Sequence, residues 1–369
     1  MSTMKAARLH EIATPFQIDT VPIPEVTGLD VLVRVRACGV VPNLKNVTHH
    51  YPEWFPYLPL PELPAIFGLD PAGEIAAVGP DVTALAVGQR VYVNPARGCG
   101  SCSKCRMGNL VDCAAFTFGG YFGFGPGSQA VFRRYPDGGF AEYMIAPAHA
   151  IAPLTSAVSY EDASHFGYLG TSYAALRRGG AGPDTVALVN GATGTLGVGA
   201  VLCALAMGVP KILAVARNHE LLDRLAALSP GRIATHSTED GSTQEWARAQ
   251  TGGAGPNLII EALGPGTPPS VTLDAFYSIA RGGTIVTIGG MDQNLELSPI
   301  WLMVNQLSYL GSAWVTTAQC EEMAGMVQAG TLDLSVYDHV RFDLEHVNDA
   351  VEAARSREQG GFTNVVVTV

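Results

Sequence analysis

Charge is scarce in this chain: only 15% of its 369 residues are Asp, Glu, Lys or Arg, and acidic groups outnumber basic ones for a formal net charge of −11. No basic run offsets that balance, so nucleic acid and anionic membrane are not expected as partners. Long hydrophobic runs are also missing. No apolar stretch approaches the length of a membrane span, and the opening MSTMKAARLHEIATPF has no signal-peptide core, so a cytoplasmic protein is expected. Cysteine is sparse as well, at seven residues. In a reducing compartment a tight cluster of them points to metal rather than to disulfides. What the chain does have is 47% hydrophobic residues and 42 glycines, enough for a large packed core in two domains and the texture of an α/β enzyme.

Four of the seven cysteines fall in GCGSCSKCRMGNLVDC, residues 98–113. The spacing C-x2-C-x2-C-x7-C lets Cys99, Cys102, Cys105 and Cys113 converge on one tetrahedral ion, with Gly100 and Gly108 as hinges. An iron–sulfur cluster is the competing reading, but it usually has a longer gap or a proline after the last cysteine. Zinc filled by four sulfurs leaves no position for water or substrate, so the expected metal is one structural zinc in a lobe spanning about residues 95–115.

The first 150 residues alternate short β-like runs with glycine and proline turns, as in DVLVRVRACGV (30–40), GEIAAVG (73–79) and QRVYVNP (89–95). Such spacing predicts an antiparallel, barrel-like domain. Two irregular segments interrupt it, residues 48–66 and 116–139, rich in aromatics with proline or glycine. Loops of this kind serve as pocket walls, as subunit contacts or as plain surface insertions. From about residue 156 the texture becomes alternating helix and apolar strand. TVALVNG (185–191), KILAVA (211–216), NLIIEAL (257–263) and GTIVTIGG (283–290) are the predicted strands, with helices such as 197–208 and 219–228 between them. The pattern predicts a doubly wound parallel sheet.

The strand at 185–191 runs into GATGTLG and then a helix. Gly191, Gly194 and Gly197 allow a tight turn and close approach of a pyrophosphate, with Thr193, Thr195 and Leu196 lining the same turn. The next strand ends in Ala216-Arg217-Asn218, where an NAD site usually carries Asp or Glu for the ribose 2′-hydroxyl. A guanidinium at Arg217 suits a 2′-phosphate, so NADP(H) is expected over NAD(H). Gly289, at the end of the 283–290 strand, completes the predicted cofactor set with Asn218.

Taken together, ACGV (37–40), FGLDPAGEIAAVG (67–79), the four-cysteine lobe, DGGFAEYMIAPA (137–148), GATGTLG and the closing NVVVTV resemble the zinc-dependent alcohol dehydrogenases of the medium-chain dehydrogenase/reductase family. The resemblance implies an α/β protein: a GroES-like, mostly β catalytic domain over 1–155, a Rossmann domain over 156–310, and a C-terminal return to the catalytic domain over 311–369. It also implies a cleft between the domains, and a homodimer or homotetramer. In that family a second, catalytic zinc sits in the cleft. Its ligands would fall at Val41, at Leu69 of Gly68-Leu69-Asp70, and at Gly167, four residues before Thr171 of the T-x-Y pattern. None of these residues ligates zinc, and Asp70 alone does not make a site.

Without that Lewis acid, hydride transfer still benefits from orientation, but the developing negative charge must meet a hydrogen-bond or proton donor. The candidates are Asn43 at the place of the family's Ser/Thr, Asn46 at that of a relay histidine, His49, His50, Tyr51 and Tyr57 on the following segment, and His165 and Tyr168 beside the lost ligand. Asn43, His49, Tyr51 and Tyr168 form the predicted catalytic set. Asp70 reads either as a buried acid of raised pKa or as half of an ion pair. The function expected is NADP(H)-dependent reduction of a polarised C=C, C=N or C=O in a hydrophobic small molecule. The alternatives are an alcohol dehydrogenase or carbonyl reductase with Tyr or His in place of the metal, and an inactive cofactor-binding regulator.

Overall fold

A computed structural model describes residues 2–356 and 358–369. Its alternating apolar strands give one parallel sheet, in the order 233–237, 211–216, 186–190, 258–261, 284–287, 308–311 among the described residues. Every neighbour in it is parallel. Alternate side chains divide between its two faces, as a period of two demands. Ala187, Val189, Ile212, Ala214, Ile260 and Val286 join the main core, while Leu188, Leu213, Val215, Ile259 and Ile285 form a second cluster on the other face. Strand order reverses between 186–190 and 258–261, the switch point at which such sheets bind ligands.

The doubly wound sheet expected from the sequence is therefore present, with four strands at the predicted places. Two more, Ile233–Ser237 and Ser308–Gly311, lie at the sheet edges. They escaped the pattern because an edge strand is half solvated, and IATHS and SYLG carry polar residues that a central strand would not.

The β-rich part is built on a sheet ordered Ile151–Pro153, Arg90–Val93, Asp70–Val78, Asp30–Gly39, Thr363–Thr368 and Asp338–Asp343, with Tyr143–Pro147 also pairing to Asp30–Gly39. The last residues return to it: Val366, Val367 and Thr368 pair antiparallel with Gly39, Cys38 and Ala37. A smaller sheet holds Gln17–Pro22, Thr3–Leu9 and Ala65–Ile66.

The two parts share one continuous core that runs from Met4 to Val367. A buried asparagine fastens the crossing between them. Asn94 accepts from Trp314 Nε1 at 3.0 Å and donates to the Val315 carbonyl at 3.1 Å, which pins the chain after the last parallel strand to the β domain. Trp314 in turn packs on Phe118, in an aromatic group with Phe116, Phe122 and Phe124. The 116–124 segment, ambiguous in the sequence, is thus mostly core. Helix Phe166–Arg178 runs alongside Thr195–Ala206 and carries its N-terminus to the β domain, where residue 167 meets Asp70.

Candidate active site and metal lobe

The cysteine loop folds around its own sulfurs. Cys102 caps the short helix Ser103–Arg106, its Sγ accepting from Cys105 N at 3.5 Å, and Cys99 Sγ accepts from Cys102 N at 3.3 Å. Gly100 (φ +73°) supplies the left-handed bend between them. All four sulfurs lie within 4.8 Å of one another. A tetrahedral ion with Zn–S bonds of about 2.3 Å requires sulfur–sulfur edges of roughly 3.8 Å, and Cys102 Sγ to Cys113 Sγ is 3.8 Å. Backbone N–H groups of Ser101 and Cys102 draw the Cys99 pKa down to about 6, so one ligand is ready as thiolate. The residues fit zinc, and with four sulfur ligands no open coordination position remains.

The predicted cofactor turn sits at the switch point. Strand Val186–Asn190 enters Gly191 (φ +86°), and helix Thr195–Ala206 starts after Gly194. A Cβ on Gly197 would run into the Gly191 carbonyl and lie 2.6 Å from Ala192 Cα, so helix and turn touch through glycine alone. The same argument holds at Gly289, whose added Cβ would press on the Leu263 carbonyl and lie 2.8 Å from Leu263 N. Thr193, Gly194, Thr195 and Leu196 all lie at this turn, and Leu196 O accepts from Ser172 Oγ at 2.7 Å. Arg217 stands exposed just past the end of strand Lys211–Ala216, and no ion pair among the described residues engages it. Asn218 is occupied structurally: its side chain caps helix His219–Leu228 by accepting from Leu221 N at 3.0 Å. These residues suit a dinucleotide, whose phosphates the N-terminus of helix Thr195–Ala206 would favour.

Two contributors to this region were not legible in the sequence. Gly361 N donates to Thr193 O at 2.7 Å, so the loop before the last strand rests on the phosphate turn. Glu261 ends strand Leu258–Glu261 and is buried, held by Asn190 Nδ2 at 2.8 Å and Leu263 N at 2.9 Å. Burial raises its pKa to about 7.

In the cleft, Val41 and Leu69 are both buried and apolar. Gly167 faces Asp70: a Cβ there would collide with Asp70 Oδ1 and lie 2.6 Å from Oδ2. Asp70 is 1% exposed, accepts from Tyr92 Oη at 2.7 Å, and has its pKa raised by burial to about 7, against the opposing hydrogen bonds of Tyr92 and the Gly167 N–H. It is a buried acid, and no ion pair engages it among the described residues.

Of the predicted donors, the structure joins Asn43 to Tyr51, with Nδ2 donating to Oη at 2.7 Å, and Asn46 to Asn43 at 3.0 Å. Because Tyr51 Oη accepts from Asn43, its own hydrogen is left to point elsewhere. Tyr121, unremarked in the sequence, belongs to the same group. Its hydroxyl is buried with no full hydrogen-bond partner among the described residues, and burial together with the charges of Tyr168, Tyr51 and Asp70 pushes its pKa well up against the side chain of Asn43. Tyr51 and Tyr121 both pack against Phe122, at 5.2 and 4.9 Å between ring centroids.

His49 lies apart. Its Nδ1 pairs with Thr48 Oγ1 at 3.0 Å, and burial and the Lys45 charge lower its pKa, so its surroundings are Lys45, His50 and Glu352 rather than the tyrosines. His50 stacks on Trp54 at 4.6 Å, and Tyr57 is exposed. His165 is buried beside Tyr168, with their rings at 6.3 Å, but its Nδ1 is engaged with Asn364 Oδ1 at 3.2 Å.

Comparison with known proteins agrees with the fold. Residues 28–156 match the alcohol dehydrogenase GroES-like domain, and residues 195–329 match the zinc-binding dehydrogenase family. An alcohol dehydrogenase of Geobacillus stearothermophilus is 29% identical over 95% of both chains. An uncharacterized zinc-type alcohol dehydrogenase-like protein of Escherichia coli, YphC, is 30% identical over 98% of both. Among solved structures, a putative zinc-binding dehydrogenase from Sinorhizobium meliloti 1021 bound to NADP superposes with a TM-score of 0.81 at 23% identity, over the whole of both chains.

Proposed function

Because the chain belongs to the zinc-type alcohol dehydrogenase-like proteins of the medium-chain dehydrogenase/reductase family and is an NAD(P)-dependent dehydrogenase, we propose that it uses NADP(H) to reduce a polarised C=C, C=N or C=O of a hydrophobic small molecule without a catalytic metal. One observation carries this reading: the carboxyl of Asp70 takes up the space that a ligand side chain at residue 167 would need. Val41 and Leu69, buried and apolar, support it. The four-cysteine lobe binds zinc and leaves it no open position.

The nicotinamide supplies a hydride, and the chain must supply the rest. Glycines at 191, 194 and 197 admit the pyrophosphate, and the exposed Arg217 offers a charge-assisted contact to a 2′-phosphate. Asn43 fixes Tyr51 so that its hydrogen is free for an acceptor, and Tyr121 offers a second hydroxyl from a buried position. Such donors stabilise negative charge where it develops but do not polarise an unactivated alcohol as a metal does. An activated double bond is therefore the better substrate. The product test is direct: enones, iminium compounds and activated ketones should be reduced faster than secondary alcohols are oxidised at neutral pH. A chelator too weak to strip the cysteine lobe should leave the rate unchanged. Efficient oxidation of simple secondary alcohols, with no activated double bond reduced, would refute the reading.

Self-association belongs to the same proposal. Strand Ser308–Gly311 is a free sheet edge, and Ile300, Met303, Val304 and Tyr309 around it are exposed apolar residues. Sedimentation should give a dimer or tetramer, and a monomer at micromolar concentration would count against it.

A further inference from the structure

A buried carboxyl without a counter-ion is costly to keep charged, and one set against an empty side-chain position invites a chemical role. Asp70 stands at the start of strand Asp70–Val78, with every neighbouring element contributing a group that is not a cation. Strand Asp30–Gly39 brings Cys38, strand Arg90–Val93 brings Tyr92, the aromatic segment brings Tyr121, helix Thr317–Gln328 brings Cys320, and helix Phe166–Arg178 brings the Gly167 N–H. The negative charge of Asp70 contributes to raising the pKa of each of those four side chains. None of them can stabilise a carboxylate by charge. Tyr92 Oη, at 2.7 Å, and the Gly167 N–H do so by hydrogen bonding.

Geometry gives this acid its place. Residue 167 is glycine, and its missing side chain is the room into which the Asp70 carboxyl projects. From the geometry at Gly167 and the hydrogen bond that Tyr92 Oη gives the carboxyl, we infer that Asp70 holds the proton consumed in the reduction, an acid standing where the family would place a metal ligand. The inference rests on the metal-free reading above. In the step it describes, the hydride that a bound nicotinamide would supply becomes a C–H bond at the acceptor carbon, and the π pair moves to the partner carbon, nitrogen or oxygen. That atom forms its bond to hydrogen with the proton that leaves Asp70, whose O–H bond breaks to give a carboxylate. The cofactor loses two electrons and the acceptor gains them. One proton from water restores the acid for the next turnover.

The test uses the zinc-loaded full chain. Infrared titration of the resting protein should show the carbonyl stretch of protonated carboxylic acid disappearing near pH 7, the value to which Asp70 is raised. Glu261 is raised to about 7 as well, so two signals are expected. Asp70→Asn should remove one and Glu261→Gln the other. For reduction of an activated acceptor, the wild-type kcat should fall as the pH rises through about 7, where Asp70 loses its proton. Asp70→Asn keeps an acceptor for Tyr92, and should flatten that fall and lower kcat by about 10²-fold. Tyr92→Phe removes a bond that favours the carboxylate, so the fall should move to higher pH. One zinc per chain together with an Asp70→Asn protein of unchanged kcat and unchanged pH profile overturns the role of Asp70 alone. Two zincs per chain, with turnover stopped by a weak chelator, overturn the metal-free reading and this assignment with it.

Discussion

Replacing His165 with Gln should make the protein less sensitive to acid, and the size of the effect follows from the burial of one ring. The ring is 6% exposed and packs on Tyr337 at 4.6 Å between centroids. A chain of polar groups fixes its tautomer. Asp162 Oδ1 pairs with His339 Nε2 at 2.9 Å, Asn364 Nδ2 donates to the carbonyl of Glu161 at 2.9 Å and lies 3.3 Å from His339 Nδ1, and Asn364 Oδ1 pairs with His165 Nδ1 at 3.2 Å. Among the described residues His165 Nε2 has no partner, so adding a proton there would bury an uncompensated charge. Burial accordingly lowers its pKa to about 4. An unfolded histidine titrates near 6.5, so between about pH 6.5 and pH 4 the unfolded chain binds the extra proton and stability falls as pH falls. The full window is worth roughly 3 kcal/mol, of which about 2 kcal/mol is gone at pH 5. Asp70 and Glu261, with raised pKa values, act in the opposite sense, but both proteins carry them and the comparison cancels their effect. Urea unfolding with zinc present, at about pH 7.5 and about pH 5, measures the result. The cost of His165→Gln should shrink by about 2 kcal/mol at the lower pH. A cost equal at both values would mean that the ring is not held neutral by burial, and the reasoning would fail.

Elemental analysis should give one zinc per chain, and Cys102→Ser should lose it together with thermal stability, because metal binding of this kind is folding energy; full stability with no zinc bound would contradict the closed site. An Ala at residue 361 would press on the Gly194 carbonyl and lie 2.6 Å from Thr195 N, so Gly361→Ala should distort the phosphate turn. Its strain of about 1–3 kcal/mol predicts cofactor binding weaker by roughly tenfold or more in a fluorescence titration, with zinc content unchanged. Unaltered affinity would show that the loop does not govern the turn. NADPH should bind more tightly than NADH by about 1–3 kcal/mol, and Ala216→Asp should erode or reverse that preference by setting a carboxylate beside the 2′-phosphate; calorimetry giving equal affinities for the unmodified protein would exclude the contact with Arg217.

What could be read from the sequence was whatever local spacing dictates. C-x2-C-x2-C-x7-C closes within a loop of fifteen residues, so its convergence on one centre needs no knowledge of the rest of the fold. The glycine turn is local too: the strand before it, the helix after it and the three glycines all fall within residues 185–208. The missed features join residues far apart in the chain. Gly361 meets Thr193, His339 meets Asp162, and Asn364 meets His165, each pairing made by the return of the C-terminal strand to the β domain. Tyr121 was hidden in GGYFGFG, where glycines and aromatics give no period and nothing local says which ring turns inward. His49 shows the converse. It is adjacent in sequence to the residues of the cleft, yet its helix of six residues turns the ring toward Lys45 and Thr48.

The cleft shows the same limit at a single pair of residues. In the sequence, Gly167 and Asp70 are two separate residues nearly a hundred positions apart, one without a side chain and the other an acid with no visible partner. In the fold they are one feature, since the carboxyl occupies the volume that the glycine leaves open. Placing a side chain at residue 167 while Asp70 stays in place would overpack a site where Asp70 is already 1% exposed. A larger residue at that position would therefore require Asp70 to move as well. The two changes are coupled by volume, and a buried acid is the chemical consequence.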